Sequence, residues 1–528
     1  MKKIYSIYLV LILTVSALLT ACSSANPPDT PDTPTDLPPI SDKAASDESA
    51  DEAESSADTD SADETESTSG TEPADGTESE NLSFAMSDTF QSLLDEVNEE
   101  HKAITFFEGD YSPYLGKNEN PEIDPAAYAG NRNTMPRLKS IVTPEQVKAD
   151  LEIYYELLRT QYAGYKYFGG DEAFRAAFDA ILAECSSLET ITVKSWVNIM
   201  IKHLSFVQDG HFSIGGSFTG DYDVPFFFRT IAFQKTDDVY AAMDGRIVAS
   251  VDGFENLDEL FKLSLTKEGD LVYYPVVLEI VSRDKMEAGR VYYSADSLTV
   301  RFTDGTTIDL TADPYSQKSY NNKRYVDYRV ENGIPITTIH YIDLENGRDA
   351  LSDAAVESRD FNISIVDLRT CQGGISAMFD EWYSNYTQRD MIGHSYLVYQ
   401  GEAFVTNKGV LYPDPSKAND IFTSSDNILI LLTSKITCSS GEHFVDIAHN
   451  LENTLIIGEN TNGTATCSLR MWTLPNTGMF VTFGDALHLF PEGDHFKEFR
   501  GFYPDIWVPA NEAEEAAMNF IAKNTTNN

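Results

Sequence analysis

Asn-Ile-Leu-Ile-Leu-Leu-Thr-Ser-Lys-Ile-Thr-Cys-Ser-Ser-Gly-Glu-His-Phe, residues 427–444, is the stretch from which the fold is read. Its first part is a solid aliphatic run, Ile428 to Leu432, with the composition of a strand. Small polar residues stop the run, and a helical pattern opens at Ser440. A strand that ends this way projects a hydroxyl from the sheet edge toward the positive end of the next helix. Ser439 and Ser440 both sit in that turn. Ser-Ser-Gly before a helix is also an ordinary N-cap, so the neighbouring segments have to decide between a nucleophile and a cap.

Outward from this stretch, apolar strands alternate with helices: strands over 336–342, 363–368, 428–433 and 454–458, helices over 375–386 and 440–451. That alternation predicts an α/β core. From Thr143 to Phe206 apolar residues recur with helical period (Val147, Leu151, Tyr154; Phe174, Phe178, Ile181; Trp196, Ile199, Leu204), and Thr143-Pro144-Glu145 is a helix start. Three or four helices are expected there, ending at Gln208-Asp209-Gly210-His211-Phe212, where Asp-Gly marks a turn. Between 222 and 313 the pattern shifts to short strands, over 224–228, 239–243, 246–251, 290–293, 297–302 and 307–310. The division is thus residues 1–22 as a signal, 23–85 as a disordered acidic linker, 86–215 as a helical region, 216–315 as a β-rich middle module and 316–528 as the α/β core.

Lys2 and Lys3, the apolar run from Tyr8 to Leu19 and then Leu19-Thr20-Ala21-Cys22 resemble a bacterial lipoprotein signal. The resemblance implies that Cys22 carries lipid as the first mature residue and ties the chain to the extracytoplasmic face of the cell membrane. The run is short of the ~20 residues that a membrane span needs. Ser23 to Glu80 is almost wholly Asp, Glu, Ser, Thr, Pro and Ala and cannot bury enough apolar surface to fold. Its 18 acids and one lysine supply 17 of the 46 net negative charges, and like charges keep it extended. The rest of the chain is still acidic, which argues against nucleic acid and anionic lipid surfaces as partners. Oligomeric state is left open. Cys185, Cys371, Cys438 and Cys467 form no CxxC pair and no zinc-finger spacing, so no cysteine metal site is expected; a Cys438–Cys467 bridge and single buried thiols are both open.

Two glycines, Gly373 and Gly374, follow the strand that ends in Asp367-Leu368-Arg369. Without a Cβ, their amides can approach a developing oxyanion, although a generic glycine turn has the same appearance. His211 lies in a loop, where a base and a surface imidazole are equally at home. In chain order the sequence offers Asp209-Gly210-His211, then Asp367 to Gly374, then Thr437-x-Ser439-x-Gly441-Glu442. Ile457-Gly458-Glu459-x-Thr461-x-Gly463 and Arg500-Gly501-x-x-Pro504-Asp505-Ile506 complete the series. Together these segments resemble the tail-specific, or C-terminal processing, serine peptidases and their tricorn-core relatives. The resemblance runs from Thr143 to the C-terminus. It implies a crotonase/ClpP-like core, Ser439 as nucleophile, an oxyanion hole from Gly373 or Gly374 with the Ser440 amide, peptide or protein substrates, and no metal or organic cofactor.

Departures from the pattern matter too. Where processing-type members carry a catalytic lysine and a glutamine, this chain has Thr464 and Ser468, and Lys435 is read as a solvated surface lysine. The tricorn-like subgroup uses a histidine and a glutamate, whose matching positions are His211 and Glu498. A serine hydroxyl is a poor nucleophile near neutral pH, so an imidazole that accepts its proton fits the chemistry. His443, four residues after Ser439, is the rival base. His203, His340, His449, His488 and His495 have no motif around them and are read as structural or exposed. Glu442 is read chiefly as support for the helix dipole, and Asp367 with Arg369 as an ion pair shaping the glycine turn. Gly245 to Gly253 followed by a helix over 257–263 only faintly echoes a PDZ domain, so capture of substrate tails is doubtful. Two rival functions stay open: a catalytically silent ligand-binding lipoprotein on the same fold, and an esterase or other acyl hydrolase.

Overall fold

A computed structural model describes residues 84–527, apart from 108, 116–121, 131–137, 283–284, 286–290, 296, 316–324, 343–346, 400–401, 404–421 and 494. The signal segment, Cys22 and nearly all of the acidic linker lie outside the described residues. Five parallel strands form the centre, in the order Ile334–Ile339, Ile363–Asp367, Ile428–Thr433, Thr454–Gly458 and Ile506–Trp507. Every residue in them is buried. A parallel sheet covered on both faces requires this, and it explains the unbroken aliphatic runs.

Alternate side chains serve two cores. Val366, Leu429, Leu431 and Ile456 face a layer with Phe379, Trp382, Phe444 and Val445 from the helices Ser376–Thr387 and Ser440–Ala448. Ile363, Ile365, Ile428, Ile430 and Leu432 face the helices Asp88–Lys102 and Ala513–Asn524. The α/β reading of the core holds. Among the described residues no helix is long and apolar enough to cross a membrane.

Three helices, Pro144–Gln161, Gly170–Ser186 and Val193–Leu204, make the helical region, the first started by Thr143 and Gln146 in a reciprocal capping box. The strand Ser213–Ile214 then pairs with Met479–Thr482, which fastens the loop carrying His211 to strands from the end of the chain. Of the strands between 222 and 310, Val248–Val251, Leu298–Phe302 and Thr307–Leu310 form a three-stranded sheet of their own, and the others extend the central sheet. Phe261–Leu265 joins the central sheet through Ser264 opposite Trp507, and the sheet continues into Leu271–Val281. That long strand changes partner after Pro275, pairing with Phe261–Leu265 before it and with Tyr222–Phe227 after it. Two expectations for the middle need correction. The helix expected over 257–263 is only Leu257–Leu260 and passes directly into a strand. Val291 and its described neighbours Tyr292 and Tyr293 are not in a strand, and the strand Leu271–Val281 did not stand out in the sequence because proline interrupts it. None of Cys185, Cys371, Cys438 and Cys467 is in a disulfide, so no Cys438–Cys467 bridge exists.

Candidate active site

The elbow between strand Ile428–Thr433 and helix Ser440–Ala448 is stapled to the end of the neighbouring strand. Ser434 Oγ donates to the Arg369 carbonyl at 2.7 Å, Thr437 Oγ1 to the Leu368 carbonyl at 2.8 Å, and the Cys438 amide to the Cys371 carbonyl at 3.1 Å. Ser439 sits at the apex with φ 56° and ψ −124°, a conformation that a residue with a side chain adopts at a cost of about 1–3 kcal/mol. Its side chain is only partly buried, at the start of the helix. The Ser440 hydroxyl is engaged instead, 2.9 Å from the Gly374 carbonyl and 2.9 Å from Ser376 Oγ.

Gly373 has φ +93°, and a Cβ there would lie 2.8 Å from Ser439 Cβ and 3.1 Å from the Ser440 nitrogen. Glycine is therefore required by the approach of the turn to the serine. The Asp367–Arg369 pair behind this turn is buried: Nε and Nη2 of Arg369 donate to the two Asp367 oxygens at 2.8 and 2.7 Å, and Nη1 donates to the Ala510 carbonyl.

Residues 461–467 link the serine to the histidine loop. Glu442, fully buried, accepts from the Ser439 amide (3.3 Å), Thr461 Oγ1 (2.6 Å) and the amides of Gly463 (2.6 Å) and Thr464 (2.7 Å). Burial raises its carboxyl above the usual range, opposed by these donors. At the other end of the strip, His211 Nδ1 lies 2.6 Å from the Cys467 carbonyl. A carbonyl only accepts, so Nδ1 carries the proton and Nε2 the lone pair. The His211 amide donates to Asp209, whose other oxygen accepts from the Tyr162 hydroxyl at 2.8 Å. Burial lifts Asp209 to about 6.

Glu498 joins the strip to the same loop. It accepts from the Gly210 amide at 2.6 Å, from Thr466 Oγ1 at 2.6 Å and from the Thr466 amide at 3.0 Å. Burial, and then the Asp209 charge, push it up to about 8.

Lys435 corrects the sequence reading. It is fully buried, and Nζ donates to the carbonyls of Thr461 (2.6 Å), Asn462 (3.1 Å), Arg500 (3.3 Å) and Phe499 (3.5 Å). Burial holds its ammonium below the usual lysine range. The rival base His443 is paired 2.8 Å from Asp380 on the helix Ser376–Thr387; burial alone would lower its pKa, but Asp380 raises it. Tyr162, which bonds Asp209, and the Cys467 carbonyl, which meets His211, had no signal in the sequence, because the fold alone brings them to this loop.

Residues 335–508 match Peptidase family S41. The chain carries an S41 peptidase domain. It is a serine-type peptidase, a hydrolase. Among solved structures it is similar to the photosystem II D1 C-terminal processing protease, with 13% identity over 72% of this chain and 97% of that one, TM-score 0.34. It is also similar to a lipoprotein from Streptococcus agalactiae (13%, 74% and 99%, TM-score 0.35) and to the tricorn protease (14%, 70% and 35%, TM-score 0.33).

Proposed function

We propose that this S41 chain is a lipid-anchored extracytoplasmic peptidase of the tricorn-like kind that cleaves peptide bonds through an acyl-enzyme on Ser439. His211 Nε2 takes the Ser439 proton as the oxygen attacks the carbonyl carbon, and returns it to the leaving amine. The amides of Ser440 and of Gly373 or Gly374 receive the oxyanion at the positive end of the helix Ser440–Ala448. Water then attacks the acyl ester, with His211 again accepting a proton. Glu498 acts as a positioning residue, through Gly210 and the 465–466 amides that set the histidine loop.

One observation carries this reading: Ser439 is held at a strained apex while the hydroxyl of its neighbour Ser440 is spent on the backbone. Fluorophosphonate labelling of the full chain tests it. Label lost in Ser439→Ala and His211→Ala and kept in Ser440→Ala is the expected result. Label surviving in Ser439→Ala removes the assignment.

A further inference from the structure

A second cluster lies at the far end of the helix that starts at Ser440, and the peptidase chemistry does not use it. Asp446 is in the last turn of that helix and is buried. Its Oδ1 stands 3.2 Å from His394 Nδ1 and 3.0 Å from His495 Nε2, and the three atoms lie within 4.8 Å of one another. Ligands about 2.0–2.1 Å from a tetrahedral zinc are about 3.3 Å apart, so small movements suffice to admit the ion. The other Asp446 oxygen accepts from the backbone amides of His394 (2.9 Å) and Ser395 (3.4 Å). This fixes the carboxylate with Oδ1 toward the imidazoles, the kind of outer support that metal-binding carboxylates have. A Cβ at Gly393 would lie 2.1 Å from the supported oxygen.

Two further imidazoles surround the trio. The His449 ring lies 4.8 Å from that of His495, and its Nδ1 donates to the Val445 carbonyl at 2.8 Å, leaving Nε2 with a lone pair. The His101 ring lies 4.7 Å from that of His449, and its Nδ1, although buried, has no hydrogen-bond partner among the described residues. His101, His449 and His495 line a cavity of about 440 Å³ together with Glu492 and Asp505. The C-terminal end of a helix also favours a cation.

We propose that His394 Nδ1, Asp446 Oδ1 and His495 Nε2 form a binding site for one zinc-like divalent cation, with His495 on its cavity side. Imidazole with carboxylate is a donor set for zinc and its first-row neighbours. Two neutral imidazoles and one carboxylate leave a single net positive charge on the bound ion, and Glu100, Glu492 and Asp505 line the same cavity as His495. The sequence reading anticipated no metal, because these ligands come from three separate segments. Bound metal would tie the segment between Pro491 and Arg500, which includes Glu498, to the end of the serine-bearing helix.

The test uses the full chain, stripped with chelator, dialysed, and titrated with Zn²⁺ against a chromophoric competitor and separately with Co²⁺. One equivalent of zinc and the visible absorption of tetrahedral cobalt are expected for the wild type. His394→Gln and His495→Gln keep a donor toward Asp446 and are expected to bind zinc at least ~10-fold more weakly. His203→Gln, a control at a histidine that bonds Glu184, is expected to bind as the wild type does. Equal zinc affinity in the wild type and both ligand variants overturns the proposal and leaves a hydrogen-bonded His-Asp-His network. Should those variants not fold, the wild type decides alone: a tetrahedral cobalt spectrum together with a chelator-induced fall in Tm upholds the site, and the absence of either overturns it.

Discussion

At Gly373 a single methyl group would meet Ser439 Cβ at 2.8 Å. Gly373→Ala is therefore expected to displace the oxyanion turn and lower kcat/KM by about 10²–10³-fold, the loss that follows removal of one oxyanion donor. Steady-state kinetics on a peptide substrate checks it, and activity within twofold of wild type would remove the glycine from the site. Asp209 and Glu498 predict a pH effect. Burial raises them to about 6 and about 8 from ordinary values of 3.8 and 4.5. The folded chain then holds protons that the unfolded chain has released, so their contribution to stability is fully present below the unfolded values and is lost as pH rises through the folded ones. The Tm advantage of wild type over Glu498→Gln should therefore shrink as pH rises from about 5 to about 8; a constant difference would contradict it. Sequence made Ser439, His211 and the glycines legible as motif residues. Lys435 was misread because an isolated lysine next to a polar turn gives no sign that four carbonyls will converge on it.

That lysine joins two elements, the strip around Thr461 and Asn462 and the turn at Phe499 and Arg500. Lys435→Met leaves these buried carbonyls short of donors, and a cost of about 2–5 kcal/mol is expected, with the loss of fluorophosphonate labelling as the strip loosens. Chemical denaturation measures the first part and labelling the second. Stability unchanged within about 0.5 kcal/mol would show that the carbonyls find other donors. Periodicity located most elements well: the strands 428–433 and 454–458 match to the residue. It failed at Leu271–Val281, where Pro275 breaks the strand pattern but falls at a change of partner, so its missing N–H is tolerated.

At the scale of the molecule, the pairing of Ser264 with Trp507 makes the middle strands Tyr222–Phe227, Phe233–Thr236, Val239–Ala242, Phe261–Leu265 and Leu271–Val281 part of an 11-stranded sheet that contains the peptidase strands. Arg229 reinforces the junction, donating to both Glu512 oxygens at 2.6 and 3.0 Å and pairing with Asp313. The middle strands and the core are accordingly expected to melt together, as one calorimetric transition. Two separated transitions would show that the junction does not couple them. Sequence by itself determined the α/β core and the ordered motifs of a serine peptidase, because strand burial, helix starts and glycine turns are local properties of the chain. Tertiary structure alone decided which carbonyl orients His211, where Lys435 goes, and that His394, Asp446 and His495 meet. Each of those contacts joins residues brought together by sheet order and loop packing, and spacing along a chain carries no record of such meetings.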